Sequence, residues 1–149
     1  MENQIGEKKV MINPDKIIIH CSATPEGVDY NAKDIDKWHR QRGFKKIGYH
    51  YIIKLDGTIE RGREEREMGA HTLGQNLHSI GICYIGGLTK DKEKPKDTRT
   101  PEQKKAIKGL VNSLIRKYKE KENITLTVHG HNEFAKKACP CYNVKEEWK

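Results

Sequence analysis

No stretch of this sequence is apolar for long enough to cross a bilayer, which takes about 20 consecutive apolar residues. The first fifteen residues are polar and hold no apolar core of the length that a secretory leader needs. Both absences lead us to expect a protein that is made and kept in the cytosol, with no membrane insertion. Hydrophobic residues make up only 34% of the chain, so a single core inside a heavily charged exterior is expected. No internal repeat and no interdomain linker interrupts the 149 residues, a length that suits one domain. Cysteine is sparse as well. Four thiols in a cytosolic chain of this size argue for metal binding or burial rather than a disulfide framework.

Positive charge is in excess. Lys and Arg number 29 against 21 Asp and Glu, a net charge of +8, which favours association with polyanions such as nucleic acid, an anionic membrane face or a carboxylate-rich polymer. The basic residues are dispersed. No helix-turn-helix, RNA-binding aromatic set or basic helix is present, so nucleic acid is not the expected partner.

Met1–Asp15 reads as a flexible N-terminal arm, and residues 16–149 as one folded domain. Lys16–His20 is a short β-branched run, the pattern of a strand buried on both faces. Asn31 with Asp34 opens a helix through Ile35 and Trp38, which Gly43 ends. Tyr49–Lys54 reads as a strand, Asp56-Gly57 as its turn, and Thr58–Arg61 as the returning strand. Gly62–His78 is a polar loop with room for a short helix, and Ser79–Ile85 is another strand. Thr100-Pro101-Glu102-Gln103 is a capping box with proline at the first helical position. Ala106, Ile107, Leu110, Val111, Leu114, Ile115 and Tyr118 then recur at helical spacing. Ile124–Val128 is a last strand, and Asn143 with Glu146 opens a final short helix. The order of elements predicts an α/β domain, a central mixed sheet with the long helix packed on it.

Candidate chemistry gathers at two places. His20 ends the first apolar run, and His131 and Cys139 share one polar segment with Lys137. Two imidazoles and one thiolate make a three-ligand zinc set, which leaves the fourth position open for water as a catalytic zinc requires. Taken singly, His131 reads more readily as a loop histidine and Cys139 as a small buried thiol. Cys21 and Cys83 lie in apolar runs and read as core thiols.

Seven short motifs sharpen the picture. His20-Cys21-Ser22-Ala23-Thr24, Gly48-Tyr49-His50-Tyr51, Gly69-Ala70-His71, Asn76, Ser79-Ile80-Gly81-Ile82, Gly86-Gly87 and Lys137-Ala138-Cys139-Pro140 follow one another along the chain. In that order they resemble the zinc-dependent N-acetylmuramoyl-L-alanine amidases, most of all the bacteriophage lysozyme-type branch, related in fold to the peptidoglycan recognition proteins. The resemblance covers about Lys16 to Trp148. It implies flanking helices on the sheet and a zinc site at one edge of a substrate groove. It implies Zn2+ held by His20, His131 and Cys139, with Tyr49 and Lys137 beside the metal as catalytic residues. It also implies that His71 and Asn76 line the groove. The ligand choice of His131 over His129 follows the family spacing to Glu133 and Cys139. The implied reaction is hydrolysis of the amide between N-acetylmuramic acid and L-alanine in peptidoglycan. A monomeric phage-type lysis enzyme that reaches the wall after release is expected.

The chain departs from that branch at two positions, with Lys136 in place of the usual proline and Cys141 in place of the usual serine. Cys141 is expected to be able to oxidise with Cys139. Glu133 reads either as a partner orienting a ligand histidine or as a solvated loop carboxylate. His39 and His78 read as structural or surface groups, and His50 should face away from Tyr49 because neighbours on a strand alternate. Two other functions fit parts of the sequence. A non-catalytic peptidoglycan-binding module would share the fold, but such proteins typically lack the cysteine ligand. A regulator that binds a polymerase or nucleic acid would suit the charge.

Overall fold

A β-branched run that is apolar at every position belongs inside a sheet covered on both faces. In the computed structural model, which describes residues 9–148, that run is β1 (Lys16–Cys21), paired in parallel with β5 (Ser79–Tyr84) on one side and β7 (Thr127–Gly130) on the other. Next to β5 lies β3 (Tyr51–Ile53), also parallel, and β4 (Ile59–Arg61) closes that side as its antiparallel neighbour. The sheet order is β4-β3-β5-β1-β7, mixed as the element order implies. A separate short pair joins β2 (Thr24–Pro25) to β6 (Gly87–Leu88).

Strand alternation divides the core in two. Ile17, Ile19, Cys21, Ile80 and Ile82 pack with Ile107, Val111, Leu114 and Tyr118 of α2 (Pro101–Glu122). On the other face Ile52, Cys83 and Ile85 pack with Ile35 of α1 (Ala32–Gln41). His20 lies in register with Cys83, and the two-residue period turns it to the α1 side. Burying side chains of this size stabilises by roughly 1.5–3 kcal/mol each. The long helix is therefore the fixed support behind β1, and the site is built on the opposite face.

Both capping boxes form as the sequence dictates. Gln103 does more than cap. Its Oε1 accepts from Thr100 N–H, and its buried Nε2 donates to the carbonyls of Ile53 and Ile85, fixing the start of α2 to the ends of two strands. The third helix, α3 (Val144–Glu147), starts at the Asn143 cap.

Three boundaries differ from the sequence reading. The last strand begins at Thr127 rather than Ile124. Asn123 adopts a left-handed φ of 54° and Ile124 N–H donates to the Tyr118 carbonyl, so these residues close the helix. Regular pairing in β3 begins at Tyr51 rather than Tyr49, because Gly62 and Arg63 donate in succession to the His50 and Tyr49 carbonyls. The third concerns the arm. Residues 1–8 of the expected flexible segment lie outside the described residues. From residue 9 the chain is held: Ile12 is buried and donates to the Arg66 carbonyl, Val10 accepts from Met68, and Asp15 N–H donates to His78. Backbone pairing and the buried Ile12 side chain together hold this stretch, and its polar composition hides them. Among the described residues no helix is long and apolar enough to cross a membrane.

Candidate active site

Three chain segments converge at the carboxyl end of β1. His20 stands there, buried to 1% exposure. β7 runs alongside and passes directly into a single 3-10 turn, His131–Glu133, which brings His131 beside His20 with ring centroids 4.6 Å apart. The chain then loops back, tied by Tyr84 Oη donating to the Pro140 carbonyl at 2.7 Å, and delivers Cys139. One ligand atom from each of His20, His131 and Cys139 lies within 4.8 Å of the others. Cys139 Sγ is 3.9 Å from His20 Nδ1. That is less than the sum of a Zn–S and a Zn–N bond, roughly 4.4 Å, so one ion can touch both.

The donor set suits zinc in charge as well as spacing. Burial holds His20 well below its usual pKa, with His71 and His131 adding to the effect. His131 is lowered by burial and then by the Lys137 ammonium. Both imidazoles are thus neutral at pH 7, as metal ligation requires. Cys139 Sγ accepts the backbone N–H of Cys21 at 3.2 Å, which fixes the sulfur beside His20.

Tyr49 and Lys137 line one cleft beside this cluster, together with His39, Arg42, Phe44, His71, Thr72, Leu73, Asn76 and His131. The Tyr49 ring lies 5.1 Å from that of His20. Burial raises the Tyr49 phenol well above its usual pKa, so it stays protonated and can donate. His50 points elsewhere, as alternation requires. Its Nδ1 accepts from Gly81 N–H and its Nε2 donates to the Glu67 carbonyl.

His71 and Asn76 also reach the cleft, but the Asn76 Oδ1 and the His71 Nδ1 are engaged. Asn76 Oδ1 accepts from the backbone N–H groups of His71 and Thr72 at 2.9 and 3.0 Å, which fixes the loop. His71 Nδ1 lies 2.8 Å from His20 Nε2. Sequence reasoning overlooked Thr72, whose Oγ1 is 3.2 Å from His20 Nε2, and it took His39 for a structural or surface residue. His39 Nδ1 accepts from Gly48 N–H while the ring packs 5.4 Å from Tyr49. Only adjacence to Gly69-Ala70-His71 and to the apolar stripe of α1 pointed to these two. Arg42, stacked over Phe44, and Leu73, 96% exposed at the cleft edge, had no such signal.

Two expectations about neighbours change. Glu133 does not orient a ligand histidine: its carboxylate pairs with His129 Nδ1 at 2.8 Å and accepts from Gly130 N–H. Glu133 thereby pins His129, whose other ring nitrogen meets Thr127, so His129 serves the turn and stays out of the ligand cluster. Cys141 is turned away from the proposed ligand thiol. Its Sγ lies 3.8 Å from Cys21 Sγ and donates to the Gly87 carbonyl. Oxidation by a low-molecular-weight disulfide should therefore join Cys21 to Cys141, with both thiol hydrogens passing to the two small thiols into which that disulfide is reduced. Peptide mapping after mild oxidation checks this, and a Cys139–Cys141 link would contradict it. Cys141→Ser should keep its thiol count under the same treatment.

Residues 11–142 match the N-acetylmuramoyl-L-alanine amidase family. The chain is 40% identical over 134 residues to the endolysin of Escherichia phage T7, covering 90% of this chain and 85% of that one. Its fold is similar to that of the N-acetylmuramoyl-L-alanine amidase LysC from Clostridium intestinale URNW, with a TM-score of 0.73 at 32% identity, over 93% of this chain and 88% of that chain. It is also similar to Drosophila PGRP-LB, with a TM-score of 0.71 at 25% identity, over 89% and 79%.

Proposed function

We propose that this chain, which belongs to the N-acetylmuramoyl-L-alanine amidase family and hydrolyses the amide between N-acetylmuramic acid and L-alanine in peptidoglycan, does so with a zinc ion held by His20, His131 and Cys139. The observation that carries the zinc reading is the convergence of two neutral imidazoles and a thiol from three separate segments within 4.8 Å. When bound, zinc supplies an activated water and a Lewis acid for the scissile carbonyl.

The protein's own residues do the rest. The phenol of Tyr49 and the ammonium of Lys137 border the same cleft and are placed to donate to the oxyanion that develops on the amide, or to the departing amine. Donors of this kind act where charge grows in the transition state. Leu73, Phe44 and Arg42 give the cleft an apolar edge with one fixed cation, suited to a stem peptide that carries carboxylates. Similarity to phage endolysins supports a lysis role, with the protein waiting in the cytosol and meeting the wall on release.

Digestion of purified peptidoglycan tests the reaction. Free amino groups of L-alanine should appear in step with loss of turbidity, without new reducing sugar ends. New reducing ends in place of amino groups would mean that a glycosidic bond is cut and the reading is wrong.

A further inference from the structure

His71 meets the proposed metal cluster from behind rather than from the open cleft. A histidine that ligates through Nδ1 must carry its proton on Nε2. In His20, Nδ1 is the nitrogen near Cys139 Sγ, and Nε2 points the other way, 2.8 Å from His71 Nδ1. His20 Nε2–H thus donates to His71 Nδ1. That bond leaves the proton of His71 on its own Nε2, which faces Ser79 Oγ at 3.4 Å. Ser79 Oγ–H in turn donates to the Gln75 carbonyl at 2.8 Å. The direction is set from the backbone of Gln75 up to His20, and of the two acceptors near His20 Nε2 the nearer is His71 Nδ1 at 2.8 Å, with Thr72 Oγ1 at 3.2 Å.

The space around the ring is shaped for it. A Cβ on Gly81 would stand 2.7–2.8 Å from three His71 ring atoms, and one on Gly69 would stand 2.7 Å from His71 Cδ2. Those distances exclude any side chain at either glycine while the imidazole holds its place. The backbone N–H of His71 is fixed by Asn76 Oδ1, and Thr72 Oγ1 sits 2.9 Å from His71 Nδ1 and 3.2 Å from His20 Nε2. The loop, both glycines and Ser79 all constrain one ring whose nitrogens are turned inward.

We propose that His71 is a positioning residue for the metal site: it accepts the His20 Nε2–H, fixes the tautomer that leaves Nδ1 free to ligate, and holds the His20 ring in register with Cys139 and His131. This inference rests on the zinc reading above. It gives His71 a different task from lining the groove for substrate, since neither ring nitrogen is left to face the cleft. Outer partners of this kind ordinarily are carboxylates, carbonyls or water, and losing one costs about 10–100-fold in metal affinity. Here a neutral imidazole takes the carboxylate's place and adds no negative charge to the site.

Zinc affinity, read by competition with a chromophoric chelator, tests the proposal without any turnover assay. His71→Asn sets an amide oxygen near the place of Nδ1 and can still accept. His71→Leu fills the same slot and cannot. We expect His71→Leu to bind zinc about 10–100-fold more weakly than wild type, and His71→Asn to recover most of that loss. The zinc-free forms should unfold at similar denaturant concentrations, because both variants fill the slot. Equal zinc affinity in His71→Leu and wild type would overturn the proposal. So would an Asn variant as weak as the Leu variant. A wild-type protein that binds no zinc would be a different result, and would remove the ligand assignment itself.

Discussion

His20→Ala and Cys139→Ala are each expected to lose zinc and hydrolysis together. Each substitution removes one of the three proposed coordinating atoms, which come from separate segments. The remaining pair cannot close around an ion, because the third segment has no substitute donor: His129 is held by Glu133 and Thr127, and Cys141 faces Cys21 and Gly87. Loss of an outer partner alone costs about 10–100-fold in metal affinity, and loss of a ligand should cost more. The two variants should differ in stability. His20 is buried in the sheet, so its truncation also leaves a cavity and takes one hydrogen-bond partner from His71 Nδ1, a destabilisation on the order of 1–3 kcal/mol. Cys139 lies in a loop, half-buried, and its removal should alter the zinc-free protein little. Zinc content by elemental analysis, read beside denaturant unfolding of the zinc-free proteins, checks both statements. Full zinc in Cys139→Ala would show that the thiol is not a ligand.

The opposite separation is expected for the two donors. Tyr49→Phe and Lys137→Ala should keep zinc and lose rate, by about 10²–10³ each if both serve the oxyanion or the departing amine. Tyr49→Phe deletes one oxygen and retains the ring that packs on His20 and His39. The half-buried cleft wall therefore survives, and any loss of rate belongs to the phenol. For Lys137→Ala the missing charge has a second effect. The ammonium helps to hold His131 and His20 neutral. Without it both imidazoles take up protons a little more readily, so zinc binding should weaken at acid pH and stay unchanged at neutral pH. Substrate binding should weaken less than turnover in both variants, since these interactions strengthen in the transition state. Near-normal turnover in both would leave the ion as the whole catalyst.

Much of the architecture can be read from one dimension, because local rules decide it. The apolar run ending at His20 could only be an inner strand. The Thr100–Gln103 box marks a helix start whatever surrounds it, and the Asn31–Asp34 box does the same. The proposed ligands stand out as residue types, the resemblance favours His131 over His129, and the fold brings the three side chains together. What stayed hidden was pairing across the fold. His20 and His71 are 51 residues apart, and Cys21 and Cys141 are 120 apart. Such meetings depend on strand register and loop closure, which a hydrophobic pattern does not encode. The pattern tells that His71 lies in a glycine-punctuated loop. It cannot tell that Gly69 and Gly81 clear a slot that turns the ring inward, toward the ligand rather than the cleft. In the same way, composition marks the first fifteen residues as polar and passes over Ile12, which is buried and helps to hold the chain from residue 9 on.

The most direct test of the account is a zinc titration of the chelator-stripped wild-type protein, with release of L-alanine amino groups from purified walls measured at each step. The account predicts no release without metal, a linear rise with added zinc, and a break at one equivalent per chain. Full release from protein shown by elemental analysis to be free of metal, or a break at a different stoichiometry, would contradict a single zinc held by His20, His131 and Cys139.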